Sequence, residues 1–341
     1  MNYSPQKKSE HVNLKPGLEI VVMAHDRQME TLRAVKALKG IDFGMETYIT
    51  VSDNPSSKDS IVMNLPGDVK HLIRAHPLTA NEHLKVIWSE FQCEWILLTH
   101  DDDELLPALG NLFREHSSDP DVSVITGLSE IVNHDGESIR DAGYENRLRA
   151  ADLFGKKSEK RLDLAQHLFD LGSLFPASAI IMRGGHHIDF ANWNTDFELA
   201  GDLAHSIYAA QQGAVTFEGR EPVMKYHIHG GNSVFTSGAA GGLMADFTVT
   251  RLNFLIENPE WANASRKMRL TKSAIVGRIL AKAFHLNQRY QNVSRYLSKA
   301  NKVTQNGAAF RIALIPIPLL FLKPLVRFLM WRRLGVRRIK L

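Results

Sequence analysis

Short apolar runs alternate with amphipathic segments of helix length along the N-terminal part of the chain, and several of the runs end in polar, carboxylate-bearing turns. Leu18 to Ala24 (LEIVVMA) is apolar and β-branched, as a buried strand requires. Arg27 to Lys39 then places Met29, Leu32, Val35 and Leu38 at near-helical spacing, with Gly40 as the stop. Glu46 to Ser52 (ETYITVS) reads as a second strand, ending in Asp53-Asn54-Pro55-Ser56-Ser57. Val69 to Ile73 reads as a third. Thr79 to Phe91 is a helix: Thr79 and Glu82 form a capping-box pattern, and Leu84, Ile87, Trp88 and Phe91 share one face. Trp95 to Thr99 (WILLT) is the next strand and runs into His100-Asp101-Asp102-Asp103; Val122 to Thr126 follows as another.

Such alternation implies an α/β fold with a mostly parallel sheet covered by helices on both faces. Crossovers in these sheets are right-handed, and ligands bind beyond the carboxyl ends of the strands. His25, Asp26, Asp53 and the three aspartates are therefore expected on one rim, whatever their distance in sequence.

The remainder is less regular. Residues 133–160 are polar and loop-rich, and Arg161 to Leu171 reads as a helix. Ser178 to Met182 (SAIIM), Ala214 to Glu218 and Pro222 to His227 read as strands, and Asp202 to Gln212 as a helix stopped by Gly213. From Ala245 onward the pattern is helical and increasingly basic.

Charge is divided unevenly. Residues 261–341 carry 18 Lys and Arg and no Asp or Glu, leaving 23 basic against 37 acidic residues elsewhere. A basic tail on an acidic body suits an anionic surface. Ala313 to Leu322 (ALIPIPLLFL) is apolar but too short to span a bilayer, and Pro316 and Pro318 interrupt it. Lys323, Arg327, Arg332, Arg333, Arg337, Arg338 and Lys340 follow, which fits a segment lying in an anionic membrane interface. Nucleic acid would ask for accessible cations with aromatic stacking, and is not the expected partner. Met1 to Pro16 is polar with no signal-like apolar run, and Cys93 is the lone cysteine. The expected location is cytoplasmic, peripheral on the inner face of the cell membrane.

Consecutive carboxylates behind a buried strand repel one another, and a divalent cation reverses that penalty. Their hard oxygens suit Mn²⁺ or Mg²⁺. An acidic helix start is the plain structural alternative.

The order of these features resembles family 2 of the glycosyltransferases, which have the GT-A fold. The residues that carry the resemblance are Ala24-His25-Asp26-Arg27, Ser52-Asp53-Asn54-Pro55-Ser56 and Asp101-Asp102-Asp103-Glu104-Leu105-Leu106-Pro107. Gly201-Asp202-Leu203 and Glu221 to Ser233, with its Glu-Pro, Tyr, His and Ser, complete the set. The similarity spans Leu18 to Ser233. It implies a Rossmann-like GT-A catalytic domain over 18–248; the helical pattern and basic charge that follow make 249–341 a helical, basic, membrane-associating region. The resemblance implies an inverting, sugar-nucleotide-dependent transferase that uses a UDP-, dTDP- or GDP-linked donor. The acceptor is expected to be a glycan or a lipid-linked intermediate of cell-surface polysaccharide or glycolipid synthesis. Ala24, His25, Asp26, Arg27, Asp53 and Asp101 would bind the nucleotide. Asp102, Asp103 and His229 would hold Mn²⁺ or Mg²⁺, and Asp202 would be the catalytic base. Trp193 and Glu198 would face the acceptor.

Two departures stand out. Counting back from Pro107 puts the family's first Asp on His100. Gly201 stands where the family has Glu, which makes Glu198 a substitute for Asp202. His227 reads as an ordinary strand residue, and His186 and His187 as loop residues. A nucleotidyltransferase on a related fold is the rival enzyme, but no G-x-x-x-x-G-K-[ST] loop is present.

Overall fold

The computed structural model of the chain describes residues 14–133, 136–139, 165–166, 168–170, 176–184, 200–228 and 239–304. They fall into two compact units, described separately below. The first carries the sheet and includes 202–228; the second carries the helices from 239 onward.

The first unit is the expected α/β layer structure. Its strands are β1 (Lys15–Ala24), β2 (Thr47–Asp53), β3 (Lys70–Ile73), β4 (Cys93–His100), β5 (Glu104–Leu105), β6 (Val122–Val132), β7 (Ile181–Arg183) and β8 (Ala214–His227). Its helices are α1 (Gln28–Lys39), α2 (Ala80–Glu90), α3 (Pro107–His116) and α4 (Gly201–Gln212), the last belonging to it from Asp202 onward. Among the described residues the strands form one sheet in the order β3-β2-β1-β4-β7-β6-β8-β5. β3, β2, β1, β4, β6 and β8 run one way; β7 and β5 run against them.

The β-branched run of β1 explains its central place. Leu18, Ile20, Val22 and Ala24 are fully buried between β2 and β4, and burial of such side chains contributes about 1.5–3 kcal/mol each. Below the sheet, Trp95 and Phe43 each meet Phe113 edge-on, with centroids 5.3 and 5.8 Å away. Arg183 closes the end of this cluster, its guanidinium 4.3 Å from the Trp95 ring.

Three local expectations change. The runs Ala214–Glu218 and Pro222–His227 are one strand, β8, not two. Its register against β6 jumps between Gly127↔Glu218 and Leu128↔Pro222, so residues 219–221 bulge out of the ladder. Pro222 has no N–H to give that ladder, and the bulge lets it enter without a missing bond. Ser178 is not in a strand: Ala177–Ala179 form a 3-10 turn, and β7 starts only at Ile181. Asp53 is the last residue of β2 rather than the first of a turn. Most of 133–164 lies outside the described residues.

The second unit contains α5 (Ala239–Glu257), α6 (Ala264–Ala283) and α7 (Asn287–Val303). The first of these starts earlier than the Ala245 expected from sequence. Asn263 caps α6 by accepting from Arg266 N. Buried Asp246 on α5 pairs with Arg289 on α7 at 3.2 Å. No helix among the described residues is long and apolar enough to cross a membrane. Residues 305–341, with the apolar and basic tail, lie outside the described residues.

Candidate active site at the carboxyl rim of the sheet

β1, β2 and β4 are adjacent and parallel, so their last residues stand side by side. The register pairs Ala24 with Asp53 and Met23 with both Ser52 and His100. The three turns that leave this rim are tied to one another. Asn54 N donates to the Ala24 carbonyl at 3.0 Å, and Asp101 N to the Met23 carbonyl at 3.2 Å. His25 N donates to Asp101 Oδ2 at 2.8 Å, and its ring Nδ1 contacts the Asn54 carbonyl at 2.6 Å. Asp26 adopts a left-handed backbone, φ 57°, and its Oδ1 accepts from Ser56 N at 2.8 Å. Asp is among the few side chains that accept this conformation readily.

The turn after β2 is held by buried polar contacts. Asn54 is spent on the main chain of Leu78, donating to its carbonyl and accepting from its N–H, both at 2.9 Å. The Asp53 carboxylate is fully buried; Oδ2 accepts from Val62 N at 2.7 Å and meets His71 Nε2 at 3.1 Å. Its Oδ1 is buried with no hydrogen-bond partner.

The acidic cluster follows β4. Asp101, Asp102 and Asp103 are all buried. Arg27 Nη1 spans the first two, at 3.0 Å from Asp101 Oδ1 and 2.5 Å from Asp102 Oδ2. Burial raises the Asp101 pKa to about 6, although the His25 N–H and Arg27 pull it down. Ser178 reaches in from the 3-10 turn and donates to Asp103 Oδ2. The other oxygen of Asp103, Oδ1, is buried and unpartnered. His100 Nδ1 lies 3.0 Å from Ser178 Oγ and 3.6 Å from Asp103 Oδ2. Burial opposes charge on this ring, but Asp103, Asp102 and Asp101 outweigh it and lift the pKa to about 9.

His100, Asp102 and Asp103 each bring a ligand atom within 4.8 Å of the others. One imidazole and two carboxylates, one of which keeps an orphaned buried oxygen, fit a divalent cation. Ala24, His25, Asp26, Arg27, Asp53 and the three aspartates thus share one rim. His227, at the end of β8, has its Nε2 3.7 Å from Glu104 Oε2; burial, then Arg33, lowers its pKa.

Asp202 is the second residue of α4. That helix leads into β8, which runs parallel to β6, so its first turn lies toward the carboxyl rim. His205, one turn on, contacts Met182 Sδ at 3.2 Å and meets Trp88 edge-on at 5.0 Å. His229, Trp193 and Glu198 lie outside the described residues. The sequence reading missed His100 as a member of the cluster and Ser178 altogether. His100 did carry a signal, since it occupies the first position of the acidic motif.

No family model and no curated protein matches the chain. Solved structures do. That of S. aureus TarS 1–349 in complex with UDP-GlcNAc is 13% identical, with a TM-score of 0.50 over 87% of this chain and 90% of that one. Another crystal structure of TarS 1–349 gives 12%, 0.49, 87% and 90%; that with UDP gives 10%, 0.46, 95% and 94%. At these identities the shared property is the fold, and this chain has the GT-A-like α/β fold, with a curled, mostly parallel sheet between helices.

Proposed function

We propose that the chain is an inverting glycosyltransferase that moves a sugar from a nucleotide-diphospho-sugar to a hydroxyl of a glycan or lipid-linked acceptor. The observation that carries this reading is the His25 N–H bond to Asp101, which locks the turn after β1 onto the acidic cluster after β4, while Asn54 N ties the turn after β2 to the same place through the Ala24 carbonyl. A nucleoside and the diphosphate attached to it need such a pair of subsites side by side. A solved structure of the same fold holds UDP-GlcNAc, which supports a nucleotide-sugar as donor.

Each subsite has a task. Asp53, buried behind the turn after β2 against Val62 N and His71, would shape a pocket for the base. Asn54 braces that pocket through Leu78 and needs no ligand contact to do so. Asp101, held by His25 and Arg27, would face the ribose. His100, Asp102 and Asp103 would hold Mn²⁺ or Mg²⁺, which when bound supplies positive charge to the departing diphosphate. Arg27 brings a guanidinium to the same place. Asp202, in the first turn of α4, would take the acceptor proton. The acceptor oxygen then bonds to the anomeric carbon as the carbon–oxygen bond to phosphate breaks, and the nucleoside diphosphate leaves with inversion. The basic residues of 261–341 would dock the enzyme on an anionic membrane surface.

The test is a thermal-shift screen of UDP-, GDP- and dTDP-sugars, with and without Mn²⁺, on wild type and Asp102→Ala. Bound ligand raises Tm by mass action. A metal-dependent rise with one nucleotide class, lost in Asp102→Ala, is expected. No rise with any donor sinks the reading.

A further inference from the structure

We propose that His100 supplies a nitrogen ligand that makes the rim site prefer Mn²⁺ to Mg²⁺, and that Ser178 is the positioning residue that holds this imidazole and Asp103 together. The inference rests on reading the rim as a cation site.

Ser178 is 1% exposed and sits on a turn 75 residues or more from both side chains it touches. Its oxygen is used three ways. It accepts from the His100 main-chain N–H at 3.2 Å, contacts His100 Nδ1 at 3.0 Å and donates to Asp103 Oδ2. A hydroxyl has one hydrogen, and an ionised carboxylate has none to give. The Ser178 hydrogen therefore points at Asp103, and the Nδ1–H of His100 must be the donor to Ser178. That assignment leaves Nε2 as the ring's lone-pair nitrogen when the imidazole is neutral. A ligating histidine is normally set in this way, its other nitrogen bonded to an orienting partner.

The same hydroxyl fixes Asp103. With Oδ2 held by Ser178, Oδ1 remains buried and unpartnered. The turn is itself anchored, because Ala179 N bonds the Pro176 carbonyl at 2.9 Å and β7 begins two residues later between β4 and β6. Ser178 thus ties the turn before β7 to two of the three cation-site residues.

Ligand type then decides selectivity. Mg²⁺ demands oxygen donors and gives up water reluctantly. First-row transition ions accept imidazole nitrogen alongside carboxylate. Two aspartates alone would discriminate little; replacing the first position of an acidic motif by histidine changes the donor set.

The experiment measures metal binding directly, without sugar nucleotide. Mn²⁺ is titrated into the full chain and followed by the EPR signal of free Mn²⁺, with Mg²⁺ as competitor. Wild type is expected to need at least about tenfold more Mg²⁺ than Mn²⁺ for half-occupancy. Loss of an orienting partner costs about 10–100-fold in affinity, so Ser178→Ala should weaken Mn²⁺ to that extent and weaken Mg²⁺ less, since Mg²⁺ loses only the bracing of Asp103 and not that of His100. Ser178→Thr, which keeps the hydroxyl, should recover Mn²⁺ binding. His100→Gln should abolish the preference while Mg²⁺ still binds. Circular dichroism establishes that each variant is folded, and Ser178→Thr and His100→Gln carry the test if Ser178→Ala is not. An unchanged Mn²⁺/Mg²⁺ ratio in folded His100→Gln, or unchanged Mn²⁺ affinity in folded Ser178→Ala, overturns the proposal, as does absence of Mn²⁺ binding to wild type. If the metal behaves as stated and no sugar nucleotide binds, the transferase reading fails and this one stands. If transfer proceeds with metal while these substitutions leave the ratio alone, the reverse holds.

Discussion

The main-chain N–H of His25 donates to Asp101 Oδ2 across 2.8 Å, joining positions 76 residues apart in the chain. The bond explains how two turns that share no sequence feature keep one geometry. It also separates two roles of Asp101. Burial lifts its pKa to about 6 against the pull of His25 N–H and Arg27, so the negative charge is not what stabilises the fold. The acceptor oxygens are. Asp101→Asn keeps an acceptor for His25 and should change the unfolding free energy by less than about 1 kcal/mol at pH 7. Asp101→Ala leaves the part-buried His25 N–H and one arm of Arg27 without a partner and should cost about 1–3 kcal/mol. Urea unfolding of the two variants decides it; equal losses would contradict the assignment.

Arg27 neutralises two buried carboxylates at once. Removing one partner from a buried ion pair is far costlier than never having had it, about 3–5 kcal/mol when fully buried. Arg27 is 30% exposed, so Arg27→Ala should cost somewhat less, about 2–4 kcal/mol. The orphaned acids then have most to gain from a divalent cation. Mn²⁺ at millimolar concentration should raise the Tm of Arg27→Ala more than that of wild type, and differential scanning fluorimetry reads both. A smaller rise in the variant would mean that Arg27 helps to hold the cation instead of standing in for it.

The rim was legible because its logic is topological. A buried β-branched run such as Leu18–Ala24 can only be a central strand, and parallel strands bring their carboxyl ends together. The capping box was legible for the same kind of reason, and it is present: Glu82 N donates to Thr79 Oγ1, and Thr79 N to Glu82 Oε2. Ser178 was not legible. A serine ahead of Ala-Ile-Ile-Met carries no chemical signal, and its bonds to His100 and Asp103 arise only because β7 enters antiparallel beside β4. The burial of Asp53 was hidden as well. Turn-like residues follow it, but the strand extends one position further and turns its carboxylate onto Val62 N.

His83 offers a pH test independent of the acidic cluster. Ser52 Oγ accepts from Arg74 Nε and Nη2, at 2.9 and 2.7 Å, and its hydrogen is left for His83 Nε2 at 2.7 Å. His83 is therefore a neutral acceptor. Burial, followed by the charges of Arg74 and His25, lowers its pKa from 6.5 to about 4. His205, buried, is lowered to about 3 by the same cause and by His100. Both folded values lie below the unfolded one, so the unfolded chain takes up protons first as pH falls. Their contribution is intact above pH 6.5 and lost below it, at up to about 1.4 kcal/mol per pH unit for each histidine until the folded pKa is reached. Between pH 6.5 and 5, His83→Gln should lower the pH slope of the unfolding free energy by up to about 1.4 kcal/mol per unit, whatever the other groups contribute. A variant slope equal to wild type would place the titration elsewhere.

Asp202 is the sharpest test of the chemistry. It opens α4, where unpaired N–H groups and the helix dipole favour a negative charge, and a proton acceptor must be ionised before it can act. The helix is anchored one turn later by His205, against Met182 and Trp88, so buried contacts hold the position of its first turn. Asp202→Asn preserves size and helix geometry and removes only the ability to take a proton. Transfer should drop by about 10²–10⁴-fold, the usual worth of a positioned general base. Donor affinity, measured by calorimetry with the nucleotide-sugar, should stay within about twofold, since the base meets the acceptor and not the nucleotide. Loss of both together would mark Asp202 as part of the donor pocket. Transfer at the wild-type rate would remove it from the mechanism and move the role of base to Glu198.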